Sequence, residues 1–136
     1  MSRGGTASYQ RLAGWVLPDL VSLAVGAAER LDFELCVRPE IGRLLAVLAG
    51  GLPPGSLVGE SGTGTGAGLA WMVSAADPAV RFISYKCEPD RARAATEIFR
   101  CCPNGPAIDR DPGRDRPRSG GLPLPDAHHM KGWHNA

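Results

Sequence analysis

A glycine-rich turn between two predicted secondary-structure elements constrains the fold of this chain more than any other feature. The stretch VGESGTGTGAG, from Val58 to Gly68, contains five glycines in eleven residues. It begins within a short strand predicted over 56–60 and ends within AGLAWMVSAA, a helix predicted over 67–76. A strand, a tight turn and a helix in this order begin a right-handed βαβ unit with parallel strands.

The segments on either side extend this unit. RFISYKC at 81–87 is rich in residues favoured in strands and predicts the second strand. PDRARAATEIF at 89–99 predicts the next helix, with proline in its first turn. Two more helices are predicted before the first strand, over 18–31 and 39–50. In the second of these, four apolar residues at i, i+3, i+4 and i+7 form a face that we expect to pack in the core: Ile41, Leu44, Leu45 and Leu48.

The chain has 136 residues, enough for one domain with a core. We therefore predict an α/β domain over 1–100, the first half of a Rossmann-like doubly wound parallel sheet preceded by two helices. Residues 101–136 hold six of the twelve prolines and all three histidines. Because this segment has no apolar periodicity, we predict an irregular or disordered tail without a third strand. Such a switch in composition is typical of translation in a wrong frame, so a truncated or frame-shifted protein is expected.

Charge and cysteine content narrow the expected partners and compartment. A formal net charge of +1 provides no long-range field toward nucleic acid or an anionic membrane, so neither is expected as a partner. Pro18 and Asp19 interrupt the N-terminal apolar run, which argues against an export signal and predicts a cytoplasmic protein. The cysteines lack framework spacing and are expected to be reduced thiols: Cys36, Cys87, Cys101 and Cys102.

A phosphate-binding loop is one possible interpretation of the glycine-rich turn. That loop needs a lysine for the β- and γ-phosphates and a hydroxyl for magnesium, spaced as GxxxxGK[ST]. Counting from Gly59, these two positions hold Thr65 and Gly66. Since both functional side chains are missing, the turn is not expected to bind a nucleoside triphosphate.

A dinucleotide-binding turn fits the glycine spacing better. Gly62, Gly64 and Ala67 satisfy the relaxed GxGxxG/A pattern between a strand and a helix. An acid about 20 residues further on normally binds the ribose hydroxyls. Lys86 stands there instead, and a lysine suits a 2′-phosphate. An NADP-binding oxidoreductase therefore stays open as an alternative.

A third possibility is a turn that binds a nucleoside-sulfonium methyl donor. Such a site has an acid at the end of the first strand, followed by a GxGxG turn that lets the backbone approach the amino-acid part of the ligand. Glu60 followed by Gly62, Gly64 and Gly66 fits this arrangement. Because an acid two residues before the first glycine is not part of the dinucleotide fingerprint, Glu60 favours the methyl donor.

The order of elements over 18–99 resembles class I S-adenosylmethionine-dependent methyltransferases, in particular their bacterial O-methyltransferase-like group. The resemblance rests on the PEIGRLL helix, the ExGTGxG turn, the AW helix, the DP turn and a second strand that closes before an EP helix start. It implies S-adenosyl-L-methionine as cofactor and methyl transfer to an oxygen of a small molecule.

The resemblance also implies roles for particular residues. Glu60 is expected to orient the amino-acid end of the donor. Lys86 occupies the position of the family's ribose-binding acid, and Glu88 the position of the next acid. The remaining cofactor-binding residues supply backbone contacts from the turn: Gly62, Thr63, Gly64 and Gly66. A homo-oligomer, the methyl acceptor and the general base are left open.

Two departures from the family pattern favour a second hypothesis about the function. A lysine offers only donors to a ribose diol, whereas a carboxylate accepts two hydrogen bonds. The later strands of the family, which carry the adenine contacts and the substrate pocket, have no counterpart predicted after Phe99. A non-catalytic remnant or binding half-domain that needs a partner is therefore the second hypothesis.

No metal site or catalytic residue is predicted. Asp77 and Asp90 are explained by a turn and by a first helical turn. The tail holds atoms suited to zinc, but without CxxC spacing and with a long unpatterned segment between the two groups. These residues are Cys101, Cys102, His128, His129 and His134.

Overall fold

A computed structural model describes residues 4–12, 14–85, 88–100, 102 and 104–109 of the chain. The helices are α1 (Gly5–Tyr9), α2 (Asp19–Arg30), α3 (Pro39–Gly50), α4 (Ala67–Ala75) and α5 (Pro89–Phe99). The strands are β1 (Leu57–Ser61), β2 (Arg81–Tyr85) and β3 (Ala107–Asp109). None of the helices in this part of the chain is both long and apolar enough to cross a bilayer.

The strands form one parallel sheet in the order β1-β2-β3. Two βαβ units build it, with α4 joining β1 to β2 and α5 joining β2 to β3. This arrangement confirms the predicted α/β fold, the first part of a Rossmann-like sheet. The short helix α1 adds a third helix before β1 to the two that were predicted.

The prediction that no strand follows Phe99 is wrong. Ala107–Asp109 pairs in parallel with β2, with Ile108 opposite Ser84. Three residues are too few for apolar alternation to be recognised, and the strand is held by backbone pairing along the edge of β2. The predicted domain limits, 1–100 and 101–136, stay predictions because most of the second range lies outside the described residues.

Helix α4 is the centre of the core. Every residue from Ala67 to Val73 is buried, and the helix packs against α2 and α3. Trp71 lies against Gly42 of α3, where any side chain would overlap the indole. The indole nitrogen donates to the Tyr9 hydroxyl at 2.9 Å, and this hydroxyl donates to the carbonyl of Val37 at 2.9 Å. Burial of the phenol raises the pKa of Tyr9.

The expected core face of α3 is wrong for three of its four residues. Ile41, Leu44 and Leu48 are 50%, 54% and 60% exposed, and of the four only Leu45 packs partly against the core. The face that α3 buries is instead made of small residues, Gly42 and Ala49 among them. The helix is apolar on nearly all sides, so its close approach to Trp71, not the apolar period, selects the buried face.

The sheet is covered on one face. Phe82 and Ser84 are buried, whereas Leu57 and Tyr85, which point to the opposite face, are 48% and 39% exposed. Among the described residues, no strand pairs with the second edge of β1. The carboxyl ends of the strands bring Glu60 and the glycine-rich turn to one edge of the sheet, where ligands of open α/β sheets bind.

Candidate functional site

A cleft of about 230 Å³ lies beyond the carboxyl end of β1. Its walls come from the glycine-rich turn, the first turn of α4 and the linker between α2 and α3. The residues that line it are Phe33, Leu35, Cys36, Val37, Leu45, Glu60, Gly62, Thr63, Gly64, Thr65, Ala67 and Gly68. The cleft therefore combines one carboxylate, exposed backbone and an apolar wall.

The backbone of the turn adopts conformations that favour glycine. Gly64 has φ +58°, and a Cβ there would lie 2.7 Å from the ring of Phe33. Gly66 has φ +92°, and a Cβ there would lie 2.8 Å from Phe99. Since Gly66 is also the N-cap of α4, the turn directs the free amides at the start of this helix toward the cleft.

Glu60 is the acidic group of the cleft, and buried hydroxyls support it. Ser84 Oγ donates to Glu60 Oε2 at 3.1 Å, and the hydroxyls of Ser84 and Thr63 are hydrogen-bonded to each other. Ser84 is fully buried and Thr63 is buried as well. Glu60 and Ser84 are also register partners across β1 and β2. Two neighbouring strands and the turn thus meet at one carboxylate.

Thr65 joins the turn to α2. Its buried hydroxyl donates to the carbonyl of Ala24 at 2.9 Å and lies 3.7 Å from Cys36 Sγ. This is the position that a phosphate-binding loop fills with lysine. Here the side chain is a threonine whose hydroxyl is directed into the core.

Glu88 lies at the beginning of α5 and outside the lining of the cleft. It is the N-cap residue of this helix and forms an ion pair with Arg91 at 3.3 Å, with 61% of its side chain exposed. The guanidinium of Arg91 in turn stacks over the ring of Phe33, 4.6 Å from its centroid. Phe33 belongs to the cleft, so Arg91 connects Glu88 to the wall of the site.

The structure brings together four of the seven predicted cofactor-binding residues, since Glu60, Gly62, Thr63 and Gly64 line one cleft. Gly66 caps α4 beneath them, and Glu88 lies to one side. Lys86 lies outside the described residues. The role of each in binding a cofactor stays a prediction.

Neither Ser84 nor the linker over 33–37 was predicted from the sequence to belong to the site. Ser84 stands at a core-facing position of β2, two residues after the buried Phe82. A small polar residue at such a position is a signal that could have identified it. The linker carries no motif and reaches the turn only through the tertiary fold.

Within the described ranges, no group of three histidine, cysteine or acidic side chains is placed to hold a metal ion. Cys102 is the one tail residue considered as a zinc ligand that lies within the described ranges, and it forms no disulfide there. The other tail residues considered as zinc ligands lie outside those ranges: Cys101, His128, His129 and His134.

The fold is similar to that of several solved structures, O-methyltransferases among them. The O-methyltransferase TomG from Streptomyces achromogenes, in complex with SAM, superposes with a TM-score of 0.60 at 23% identity, over 85% of this chain and 56% of TomG. Cofactor-bound Rv0187 from MTB gives a TM-score of 0.63 at 20% identity, over 82% and 53%. The O-methyltransferase from Bacillus cereus, in complex with SAH, gives 0.58 at 13%, over 78% and 48%.

The TM-scores show that the fold is shared. Because all three identities are below 25%, these similarities show the fold alone. The chain spans about half the length of each of these proteins. Neither a protein-family model nor a curated protein sequence matches it.

Proposed function

We propose that the cleft binds S-adenosyl-L-methionine and that the chain supplies the donor-binding part of an O-methyltransferase that acts on a small molecule. The observation that carries this proposal is the carboxylate of Glu60, which stands beside a glycine-rich turn at the carboxyl end of β1. The fold shared with proteins crystallised with SAM and SAH supports the same assignment.

The residues of the cleft fit the amino-acid end of this donor. Glu60 offers acceptors to an ammonium group, and the free amides at the start of α4 suit a carboxylate. Leu35, Val37 and Leu45 provide an apolar wall. Complete ligand pockets occupy about 300–1,000 Å³, so a cleft of about 230 Å³ accommodates one end of the donor and leaves the adenosine to extend beyond it.

When bound, the sulfonium group supplies an activated methyl group for in-line displacement. This chain would contribute orientation, which accounts for a large share of the acceleration of such a reaction. Deprotonation of the acceptor oxygen needs a base. Among the described lining residues, Glu60 and Cys36 are the two whose side chains can accept a proton when ionised. The Sγ atom of Cys36 is directed at the hydroxyl of Thr65. The general base therefore stays unassigned.

Isothermal titration of the complete chain with S-adenosylhomocysteine tests donor binding. We expect a saturable interaction, and no interaction up to millimolar ligand would overturn the proposal. Titration with NADPH is the matched control, because the dinucleotide alternative predicts tighter binding of NADPH than of S-adenosylhomocysteine.

A binding half-domain is the second candidate, and the open face of the sheet favours it. Parallel sheets normally have both faces covered, yet Leu57 and Tyr85 are exposed, as are Ile41, Leu44 and Leu48 of α3. Such a protein would bind S-adenosylhomocysteine but transfer no methyl group by itself. An assay of methyl transfer to simple phenols and catechols, run alongside the titration, separates the two candidates. Under either one we place the protein in the cytoplasm, with no nucleic-acid or membrane partner.

A further inference from the structure

Ser84 is a polar residue in a place where an apolar one is expected. It lies on β2 with no exposed surface, two residues after the buried Phe82 on the same face of the sheet. The facing positions are Glu60 on β1 and Ile108 on β3. A buried hydroxyl without hydrogen bonds is destabilising. The hydrogen-bond partners of Ser84 therefore indicate its role.

The hydrogen bonds among Thr63, Ser84 and Glu60 have a defined donor-to-acceptor order. Ser84 has a single hydroxyl proton, which it donates to Glu60 Oε2 at 3.1 Å. In its hydrogen bond with Thr63, Ser84 must then act as the acceptor. Thr63 Oγ1 also lies 3.4 Å from the carbonyl of Tyr85, and the amide of Gly62 donates to that carbonyl at 3.1 Å. The last two residues of β2 thereby hold both the glycine-rich turn and the carboxylate of Glu60 in place.

We propose that Ser84 is a positioning residue: it holds the Glu60 carboxylate at the edge of the cleft, so that the cleft selects nucleoside ligands that carry a cationic amino group. This inference rests on the proposed function, because it assigns the amino-acid end of the donor to Glu60. A carboxylate held by a buried donor needs no reorganisation when an ammonium group arrives. Without the hydroxyl of Ser84, the carboxylate loses this hydrogen bond and its position is less restricted.

A comparison of two ligands distinguishes positioning of the Glu60 carboxylate from a general effect of Ser84 on the fold. S-adenosylhomocysteine and 5′-methylthioadenosine share the adenosine and the thioether, and only the first carries an amino-acid group. Loss of one hydrogen bond to a charged group corresponds to a change of about tenfold in affinity. In Ser84→Ala we expect the affinity for S-adenosylhomocysteine to fall by about this factor, while the affinity for 5′-methylthioadenosine stays within about twofold.

Three further variants complete the test by isothermal titration of the full chain. Ser84→Thr retains the hydroxyl and should restore the preference. Ser84→Cys fills the same buried space with a weaker donor, so it should give an intermediate loss even if Ser84→Ala does not fold. In a Glu60→Gln background, Ser84→Ala should cause no additional loss, because its effect acts through the carboxylate.

Equal weakening of both ligands in the Ser84 variants, or no weakening of either, would overturn the inference while leaving the proposed function in place. An additional loss in the Glu60→Gln background would overturn it as well. If the unmodified chain fails to bind S-adenosylhomocysteine, the proposed function falls, and this inference falls with it.

Discussion

The two acidic residues predicted to bind the donor, Glu60 in the cleft and Glu88 outside its lining, are held in different ways. Glu60 accepts a hydrogen bond from a fully buried hydroxyl and lies between two strands and the turn. Glu88 is 61% exposed and pairs with Arg91 one helical turn away, an arrangement that is worth about 0–1 kcal/mol. Under the proposed function, the amino-acid end of the donor would therefore meet a preformed group. Any contact between the donor and Glu88 would first have to order an exposed side chain.

The largest effect is expected from Gly66→Ala, which disturbs both the glycine-rich turn and its packing against α5. The substitution forces a side chain into φ +92° and drives its Cβ against Phe99 of α5. Backbone strain and overpacking together should lower the free energy of unfolding by about 2–4 kcal/mol. Urea denaturation measures the loss.

Gly55→Ala is the matched control for this substitution. Gly55 has φ +83° with nothing near its missing Cβ, so only the strain of about 1–2 kcal/mol applies. An equal loss in the two variants would show that contact with α5 contributes nothing.

Glu60→Gln tests the preformed group alone. An amide presents one neutral acceptor to an ammonium group, so a charge-assisted hydrogen bond worth about 1.5–3 kcal/mol is lost. The affinity for S-adenosylhomocysteine should fall by about 10- to 150-fold in isothermal titration, with folding preserved in circular dichroism. A change smaller than about threefold would remove Glu60 from the site.

Tyr9→Phe tests the wall of the cleft. The Tyr9 hydroxyl holds the carbonyl of Val37, which lines the cleft, and accepts the indole proton of Trp71. Its loss leaves a buried donor without this partner and should cost about 1–3 kcal/mol in urea denaturation. Unchanged stability would mean that neither bond matters in solution.

The same phenol predicts a dependence of stability on pH. Burial raises the pKa of Tyr9 above its ordinary value, so the folded state favours the neutral form. This contribution is fully present below about pH 10, the unfolded value, and is lost as the pH rises through the folded value. Thermal melts from pH 8 to 11 should therefore fall more steeply for the unmodified chain than for Tyr9→Phe. Parallel curves would contradict this assignment.

The smallest effect is expected from Glu88→Gln. Removing the charge breaks the ion pair with Arg91, and the affinity for S-adenosylhomocysteine should change by less than about fivefold. Arg91→Lys is a useful companion, because it retains the charge but weakens stacking on Phe33. A loss from Glu88→Gln as large as that from Glu60→Gln would reverse the comparison between the two residues.

Local signals predicted most of the elements, since the strands and helices from α2 to α5 begin and end within two residues of the predicted positions. Interactions between distant segments were not predictable in this way. The buried face of α3 depends on the contact between Gly42 and Trp71, 29 positions apart, and its apolar period gave the wrong face. Glu60 was identified because it precedes a motif. Ser84 was missed: its polarity at a core-facing position was a signal, but its partner Glu60 becomes evident only when β1 and β2 pair.

The most direct test of this account compares S-adenosylhomocysteine with 5′-methylthioadenosine on the unmodified chain. If the amino-acid end meets the preformed carboxylate, as proposed, S-adenosylhomocysteine should bind at least about tenfold more tightly in isothermal titration. Equal affinities, or tighter binding of 5′-methylthioadenosine, would contradict the account, since the principal recognition would then lie at the ribose end.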